Sequence, residues 1–464
     1  MQVNRRRFMQ YSACAAAGAL LGCNSPKQPD EEAIAYQLTA AKKKFQLLPD
    51  RPATEGVGYL GGPPLRVLRA KQGQPLRVTL DNQLGEVTTI HWHGLRLPNP
   101  MDGVPYLTQE PTADGEKFVY EFTPPDAGSF WFHPHANSLQ QAGRGLAGAL
   151  IVEEPEPVGF DLDIPLIIKD WVIDEETGQF GELTTPRGAS RAGTFGNVRT
   201  VNGEILPQYH LPAGGWVRLR LINVDVTRIY KVMMKGDDEA EAHIIAMDGM
   251  PLATPRPLGR EPIGPGMRVD LAVHIPNRIG AQFWLENTST SSPWKMVNFT
   301  AVTSLTPVAT DRPKLPMNPI PAFDLQGAPV IPFRFDTGVG EGYLICGGSK
   351  TREYPVYWTV NNTSLPKTPV LAAPLETLKK GQTAIFELHN NTPHSHPIHL
   401  HGYSFTILES NKRKVDPYHA DTVLLRPKER VKLAFLADNP GDWMYHCHII
   451  EHQESGMSGH IRVV

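Results

Sequence analysis

Four short stretches of this chain concentrate side chains that bind soft metals: His91-Trp92-His93, His133-Pro134-His135, His396-Pro397-Ile398-His399-Leu400-His401 and His446-Cys447-His448-Ile449-Ile450-Glu451-His452, with Met457 just beyond. Ten of the 17 histidines lie in them. A thiolate flanked by imidazoles, accompanied by further imidazoles two residues apart, is a donor set that suits copper. On a β-strand, residues two apart share a face and neighbours point oppositely, so each His-x-His aims two rings at one place. His446 and His448 then face one way and Cys447 the other. His396, three residues before His399, is likewise turned away from His399 and His401. Parity therefore sorts the ligands into two sites. One has eight histidines, His91, His93, His133, His135, His399, His401, His446 and His448, enough for three copper ions. The other has Cys447, His396, His452 and Met457, and two imidazoles, a thiolate and a distant thioether are the ligands of a blue-copper electron-transfer site. The expected total is four copper ions. Cys447 and one peptide unit would join the two sites over on the order of 10 Å, a short path for an electron. Electrons entering singly at the sulfur site would be stored until four are present, the number that converts dioxygen to water.

A lone His-x-His is more often a surface pair than a ligand, and His-Cys-His alone could hold zinc in a tetrahedral site. The positions of the clusters within a threefold repeat argue against both. Gly73–Asn82, Gly214–Asn223 and Gly381–Asn390 match one another, each alternating apolar and polar residues in the strand period and each ending in Asn nine positions after its Gly. Nine residues after Asn82 comes His91, and nine after Asn390 comes His399; the same offset from Asn223 gives Val232-Met233-Met234. Gly128 precedes His133-Pro134-His135 as Gly441 precedes His446-Cys447-His448, whereas Gly280 leads only to Leu285-Glu286-Asn287. The middle copy thus has no metal site, and the outer two must face each other across a shared centre.

Repeats of this length are whole sandwiches. With 464 residues, room for about three domains, and with Gly (41) and Pro (43) making up about 18% of the chain against roughly 12% on average, the reading is an all-β protein with many turns. The expected divisions are 1–44 for a signal and tether, 45–155 for the first sandwich, 156–305 for the second, without metal ligands, and 306–464 for a Pro-rich linker and the third. A net charge of -3 and the lack of a basic run exclude nucleic acid as a partner. A monomer is expected.

The amino-terminal 23 residues read as an export segment. Asn4-Arg5-Arg6-Arg7-Phe8-Met9-Gln10 precedes a weakly apolar run from Tyr11 to Leu21, too short to span a bilayer as a helix. The arginine pair resembles a twin-arginine export signal, with Asn4 where Ser or Thr is usual. Leu20-Leu21-Gly22-Cys23 resembles a lipoprotein box, which would make Cys23 a lipidated membrane tether; an ordinary cleaved signal is the alternative. The protein is then expected in the periplasm or cell envelope. Cys14 leaves with the signal, and Cys346 reads as a buried, inert thiol.

With these motifs in place, the chain resembles the multicopper oxidases, the family of laccases and bacterial copper oxidases built from three cupredoxin domains, over about residues 45 to 464. The resemblance implies three consecutive cupredoxin-like Greek-key β-sandwiches. It also implies His91 and His399 at the type 2 copper, His93, His133 and His448 at one type 3 copper, His135, His401 and His446 at the other, and His396, Cys447, His452 and Met457 at the type 1 copper.

Reducing dioxygen to water consumes four protons, so carboxylates beside the cluster are expected to relay them. Asp102 matches the acid that relatives place near the type 2 copper; read locally it is a turn residue in Asp102-Gly103. Several bacterial relatives carry Glu directly after the last type 1 histidine, where this chain has Gln453, so Glu451 or Glu454 would have to serve. The expected partners are dioxygen and a small electron donor. A laccase-like oxidation of phenols, with electrons entering at an exposed edge of His452, is the leading expectation. Oxidation of cuprous, ferrous or manganous ion is the second, without the Met-rich insertion of copper efflux oxidases, since the 12 methionines are scattered. A non-catalytic envelope scaffold is a third, and retention of every ligand argues against it.

Overall fold

A computed structural model of the chain describes residues 33–236, 240–259, 261–343, 353–363 and 373–464. The export and lipid-attachment motifs, with Cys14 and Cys23, and also Cys346, lie outside the described residues. Among the described residues, helix is confined to short turns: Asn99–Met101, Ser138–Gly143, Pro186–Ala189 and Ile450–Glu454. None is long and apolar enough to cross a membrane.

The strands form six sheets in three consecutive pairs. Residues 34–153 give two four-stranded sheets, residues 162–302 a six- and a five-stranded sheet, and residues 330–463 another six- and five-stranded pair. Each pair encloses its own core. Leu38, Val78 and Tyr120 from one sheet meet Leu68, Trp92 and Phe132 from the other in the first. Leu219 and Val269 meet Val232 and Phe283 in the second, and Phe333, Trp358 and Phe386 meet Ile398, Tyr445 and Ile461 in the third.

The repeated segment has one topological role in all three. Leu76–Gln83, Trp216–Asn223 and Gln382–Asn390 each pair in parallel with the strand that opens their sandwich, and antiparallel with a later one on the other side. The terminal Asn explains why the match ends where it does. Asn82, Asn223 and Asn390 are buried. Each accepts the backbone N–H two residues on (Leu84, Asp225, Thr392) and donates from Nδ2 to two backbone carbonyls, one of them four or five residues on (Glu86, Arg228, His394). This side chain closes a turn that would otherwise bury unpaired backbone groups, at a cost of about 1–3 kcal/mol each. It releases the chain toward the facing sheet, where His91 and His399 follow. In the middle copy the corresponding strand, Tyr230–Gly236, places Val232 in the core.

One boundary differs from the sequence expectation. Ile34–Phe45, all but its last residue within the stretch 1–44 read as signal and tether, is the first strand of the first sandwich. It pairs in parallel with Leu76–Gln83 and antiparallel with Thr54–Tyr59. Leu38, Ala40 and Phe45 are buried, while the lysines at 42, 43 and 44 occupy a more exposed part of the strand and mask its apolar face in the sequence.

Candidate metal centre

The histidine pairs sit on matching strands of the first and third sandwiches. His91–His93 runs antiparallel to Gly128–His133 with His91 opposite His133. His396–Leu400 runs antiparallel to Gly441–Cys447 with His399 opposite His446 and Ile398 opposite Cys447. The two sandwiches meet through these rings. His91 stacks on His401 with centroids 3.7 Å apart and an interplanar angle of 22°, and His93 stacks on His399 at 3.7 Å and 16°. The groups whose ligand atoms lie within 4.8 Å of one another include His91, His133 and His135; His91, His399 and His401; His93, His133 and His448; and His135, His401 and His446.

Hydrogen bonds orient most of the rings. His91 Nδ1 donates to the Asp102 carbonyl (2.8 Å), His399 Nδ1 to the Asp421 carbonyl (2.8 Å), His401 Nδ1 to Asp102 Oδ2 (2.9 Å) and His446 Nδ1 to the Cys447 carbonyl (2.9 Å). Nε2 is thereby left facing the cluster, and His401 Nε2 and His446 Nε2 approach to 3.1 Å. His93 is reversed: its Nε2 lies 3.0 Å from Asp421 Oδ1. Several ring nitrogens of the cluster are buried and have no hydrogen-bond partner, namely Nε2 of His91, His133 and His399, Nδ1 of His93, and both nitrogens of His135 and His448. Each such group costs about 1–3 kcal/mol when unpaired, and a cation is the partner that removes that cost for several at once. Burial also drives the imidazoles of His93, His133, His135, His401, His446 and His448 well below their ordinary pKa, helped by neighbouring rings. They are held neutral, the form that ligates metal.

On the opposite side of the strand from His446, Cys447 meets His396 and His452. Its Sγ lies 3.7 Å from His396 Nδ1 and 3.6 Å from His452 Nδ1, and those two nitrogens are 3.1 Å apart. The remote nitrogens are tied off, His396 Nε2 to Thr392 Oγ1 (2.7 Å) and His452 Nε2 to the Arg191 carbonyl (2.8 Å). Burial pulls His452 down to about 3 and pushes the Cys447 thiol far up. An isolated thiol here stays protonated, so a thiolate requires a bound cation. Met457 is buried, and its carbonyl accepts the Cys447 N–H at 3.0 Å. The donor set thus fits copper at both places.

The carboxylates separate. Asp102 is buried and bridges His91 and His401. Glu451 binds Thr194 through both oxygens, accepting its backbone N–H on one and its hydroxyl on the other (2.8 Å), and burial raises its pKa. Glu454 accepts the N–H of Leu139 (3.0 Å) in the helix Ser138–Gly143, four residues after His135.

The expected exposed edge of His452 is absent, because the ring is fully buried. The segment after the turn Pro186–Ala189 covers it through the Arg191 carbonyl, and Trp358, whose indole N–H donates to the Ala189 carbonyl (2.7 Å), packs against it with centroids 4.6 Å apart. The sequence reading also missed Asp421, Arg268 and Asp248, which join beside His93 and His399. Against the upward push of burial, Arg268 and the neighbouring His399 hold the Asp421 carboxyl well below the usual range. The only signal for Arg268 was its charge, with that of Asp270, at the start of a mostly apolar strand, and nothing pointed to Asp248 or Asp421.

The sequence profile of the multicopper oxidase family matches residues 41–157 and 349–464. The chain is similar to the solved structure of a multi-copper oxidase from Pseudomonas thermotolerans, with a TM-score of 0.84 and 41% identity over 94% of this chain and 100% of that one. It is 27% identical over 460 residues to multicopper oxidase MmcO of Mycobacterium tuberculosis, covering 88% of this chain and 83% of the relative. It is 28% identical over 454 residues to Laccase-1 of Botryotinia fuckeliana, covering 88% and 78%. The chain belongs to the multicopper oxidase family. It is an oxidoreductase that uses copper, an electron donor and dioxygen.

Proposed function

We propose that this chain is a laccase-like oxidase that takes single electrons from small organic donors, phenols foremost, near His452 and uses four of them to reduce dioxygen to water. His396, Cys447, His452 and Met457 would hold one copper. Three more would be shared among the eight histidines: one at His91 and His399, one at His93, His133 and His448, one at His135, His401 and His446. The observation that carries the reading is the position of Cys447, whose sulfur meets His396 and His452 while the adjacent His446 joins His135 and His401. Bound copper supplies the one-electron redox chemistry and the binding of dioxygen. The chain supplies a covalent path from Cys447 to its two neighbours, a water-excluding pocket of fully buried rings, and proton transfer at Asp102, which touches His91 and His401. Glu451, bound to Thr194, and Glu454, bound to the Leu139 N–H, are the candidates for a second relay.

The groups described around His452 favour an organic donor over a metal cation. The Arg191 carbonyl caps the ring, the exposed Arg191 guanidinium depresses the pKa of His394 after burial has done so, and His394 bears in turn on His452. The Arg191 charge disfavours the approach of cuprous or ferrous ion and tolerates a neutral or anionic phenol. The alignment with a laccase over most of the chain supports the same choice. Oxygen uptake by the copper-loaded protein tests it: kcat/KM with a methoxyphenol is expected to exceed that with cuprous ion by at least about tenfold, or about 1.4 kcal/mol. A tenfold preference for cuprous ion would overturn the donor assignment.

A further inference from the structure

The middle sandwich has no histidine cluster, yet it reaches the eight-histidine site through the side chain of Arg268. Arg268 is fully buried at the start of the strand Arg268–His274. A guanidinium has five N–H donors, and all five are used. Nε donates to the Ser129 carbonyl (2.9 Å), Nη1 to the Gly266 carbonyl (2.9 Å) and Asp421 Oδ1 (2.9 Å), and Nη2 to the Asp248 carbonyl (3.0 Å) and Asp421 Oδ2 (2.5 Å). The fork therefore joins the first sandwich at Ser129 to the third at Asp421. Asp421 in turn touches a ring from each outer sandwich, His93 Nε2 through Oδ1 (3.0 Å) and His399 Nδ1 through its carbonyl (2.8 Å).

Two glycines make room for this junction. A Cβ on Gly94, where φ is +87°, would fall 2.2 Å from Arg268 Nη2 and 2.5 Å from Asp421 Oδ2. One on Gly266, where φ is +83°, would fall 2.8 Å from the His448 ring and 2.9 Å from His93. Both positions need a left-handed backbone and a close approach that only Gly supplies.

The junction has a consequence for ligand chemistry. His91, His133, His399, His401 and His446 all engage Nδ1 with a carbonyl or carboxylate oxygen and present Nε2 to the cluster. His93 alone engages Nε2 and presents Nδ1, which is buried and unpartnered. A neutral imidazole has one N–H and one lone pair, and the acceptor at one nitrogen decides which nitrogen is free for a metal.

We propose that Arg268, from the sandwich without ligands, is a positioning residue of the copper cluster: by clamping Asp421 it holds His93 in the tautomer that keeps its proton on Nε2 and offers Nδ1 to the metal. The proposal rests on the reading of His93 as a copper ligand. It also gives the middle sandwich a part in the chemistry beyond spacing the other two.

Asp421→Asn tests it with little change of shape. Arg268 Nη1 and His93 Nε2 both meet Oδ1 and Arg268 Nη2 meets Oδ2, so an amide at position 421 sets its NH2 against an Arg268 N–H whichever way it turns, and the clamp that fixes His93 is broken. In the copper-loaded protein, challenged with a chelator, the variant is expected to hold about one copper fewer per chain than the parent, the weakened ion binding about 10- to 100-fold less tightly. The blue absorbance reported by Cys447 stays, since that site lies on the far side of the strand. Arg268→Met is expected to act in the same direction, with partial recovery in Arg268→Lys, which keeps the charge without the fork. If Arg268→Met does not fold, Asp421→Asn decides alone. Full copper retention in Asp421→Asn overturns the proposal, and so does joint loss of all copper and of the blue colour, which would mark Asp421 as a general structural residue. A parent protein that binds no copper at His93 would instead refute the ligand assignment on which the proposal stands.

Discussion

Cys447→Ser is expected to bleach the copper-loaded protein and stop its turnover while the fold stands. A serine hydroxyl does not ionise at neutral pH, so it replaces neither the thiolate donor nor the covalent electron route. The substitution places one hydroxyl in a fully buried position beside two imidazole nitrogens that can accept from it. Its stability cost is then about 1–2 kcal/mol, well inside the reserve of a typical domain. Oxygen uptake should fall by at least about a thousandfold, or about 4 kcal/mol. Copper at the eight histidines should remain. Visible absorption, copper content and oxygen uptake on one sample separate these effects. Turnover within tenfold of the parent would mean that electrons reach the cluster by a path other than Cys447.

Asp102→Asn is the second large effect, and it should divide the catalytic cycle. The Asp102 backbone carbonyl and its carboxylate both hold rings of the cluster, His91 and His401. Asparagine keeps the backbone contact to His91 but cannot carry a proton as a carboxylate does. Loss of a positioned proton donor or acceptor costs about 10²- to 10⁴-fold. Reduction by a phenol without oxygen, followed as loss of blue colour, is expected to run at nearly the parent rate. Reoxidation by dioxygen should slow at least about a hundredfold. If both halves slow equally, Asp102 acts by holding the fold of the site and not by moving protons.

The outer plan of the molecule was readable in short-range pattern. Strand parity separated Cys447 from His446 and His448, and the structure puts the sulfur with His396 and His452 while His446 joins His135 and His401. The Asn that ends each repeat was visible as a match, although its work in closing the turn was not, because its partners are backbone carbonyls up to 40 residues away. The first strand was hidden by Lys42, Lys43 and Lys44, three successive charges in a strand whose backbone stays in register. Beyond the facing histidine clusters, the meeting of distant segments could not be read. Asp421 stands 328 residues from His93 and 153 from Arg268. No periodicity links such positions. The cover over His452 is of the same kind, since Arg191 arrives from the middle sandwich, 261 residues earlier.

Anomalous diffraction at the copper edge, from crystals of the copper-loaded protein, bears most directly on the central claim that one strand carries metals on its two sides. The expected map has one peak beside the sulfur of Cys447, between His396 and His452, and three peaks among the eight histidines, with the two sets on the order of 10 Å apart. A map with no peak at Cys447, or with metal confined to one side of the strand Gly441–Cys447, would contradict it.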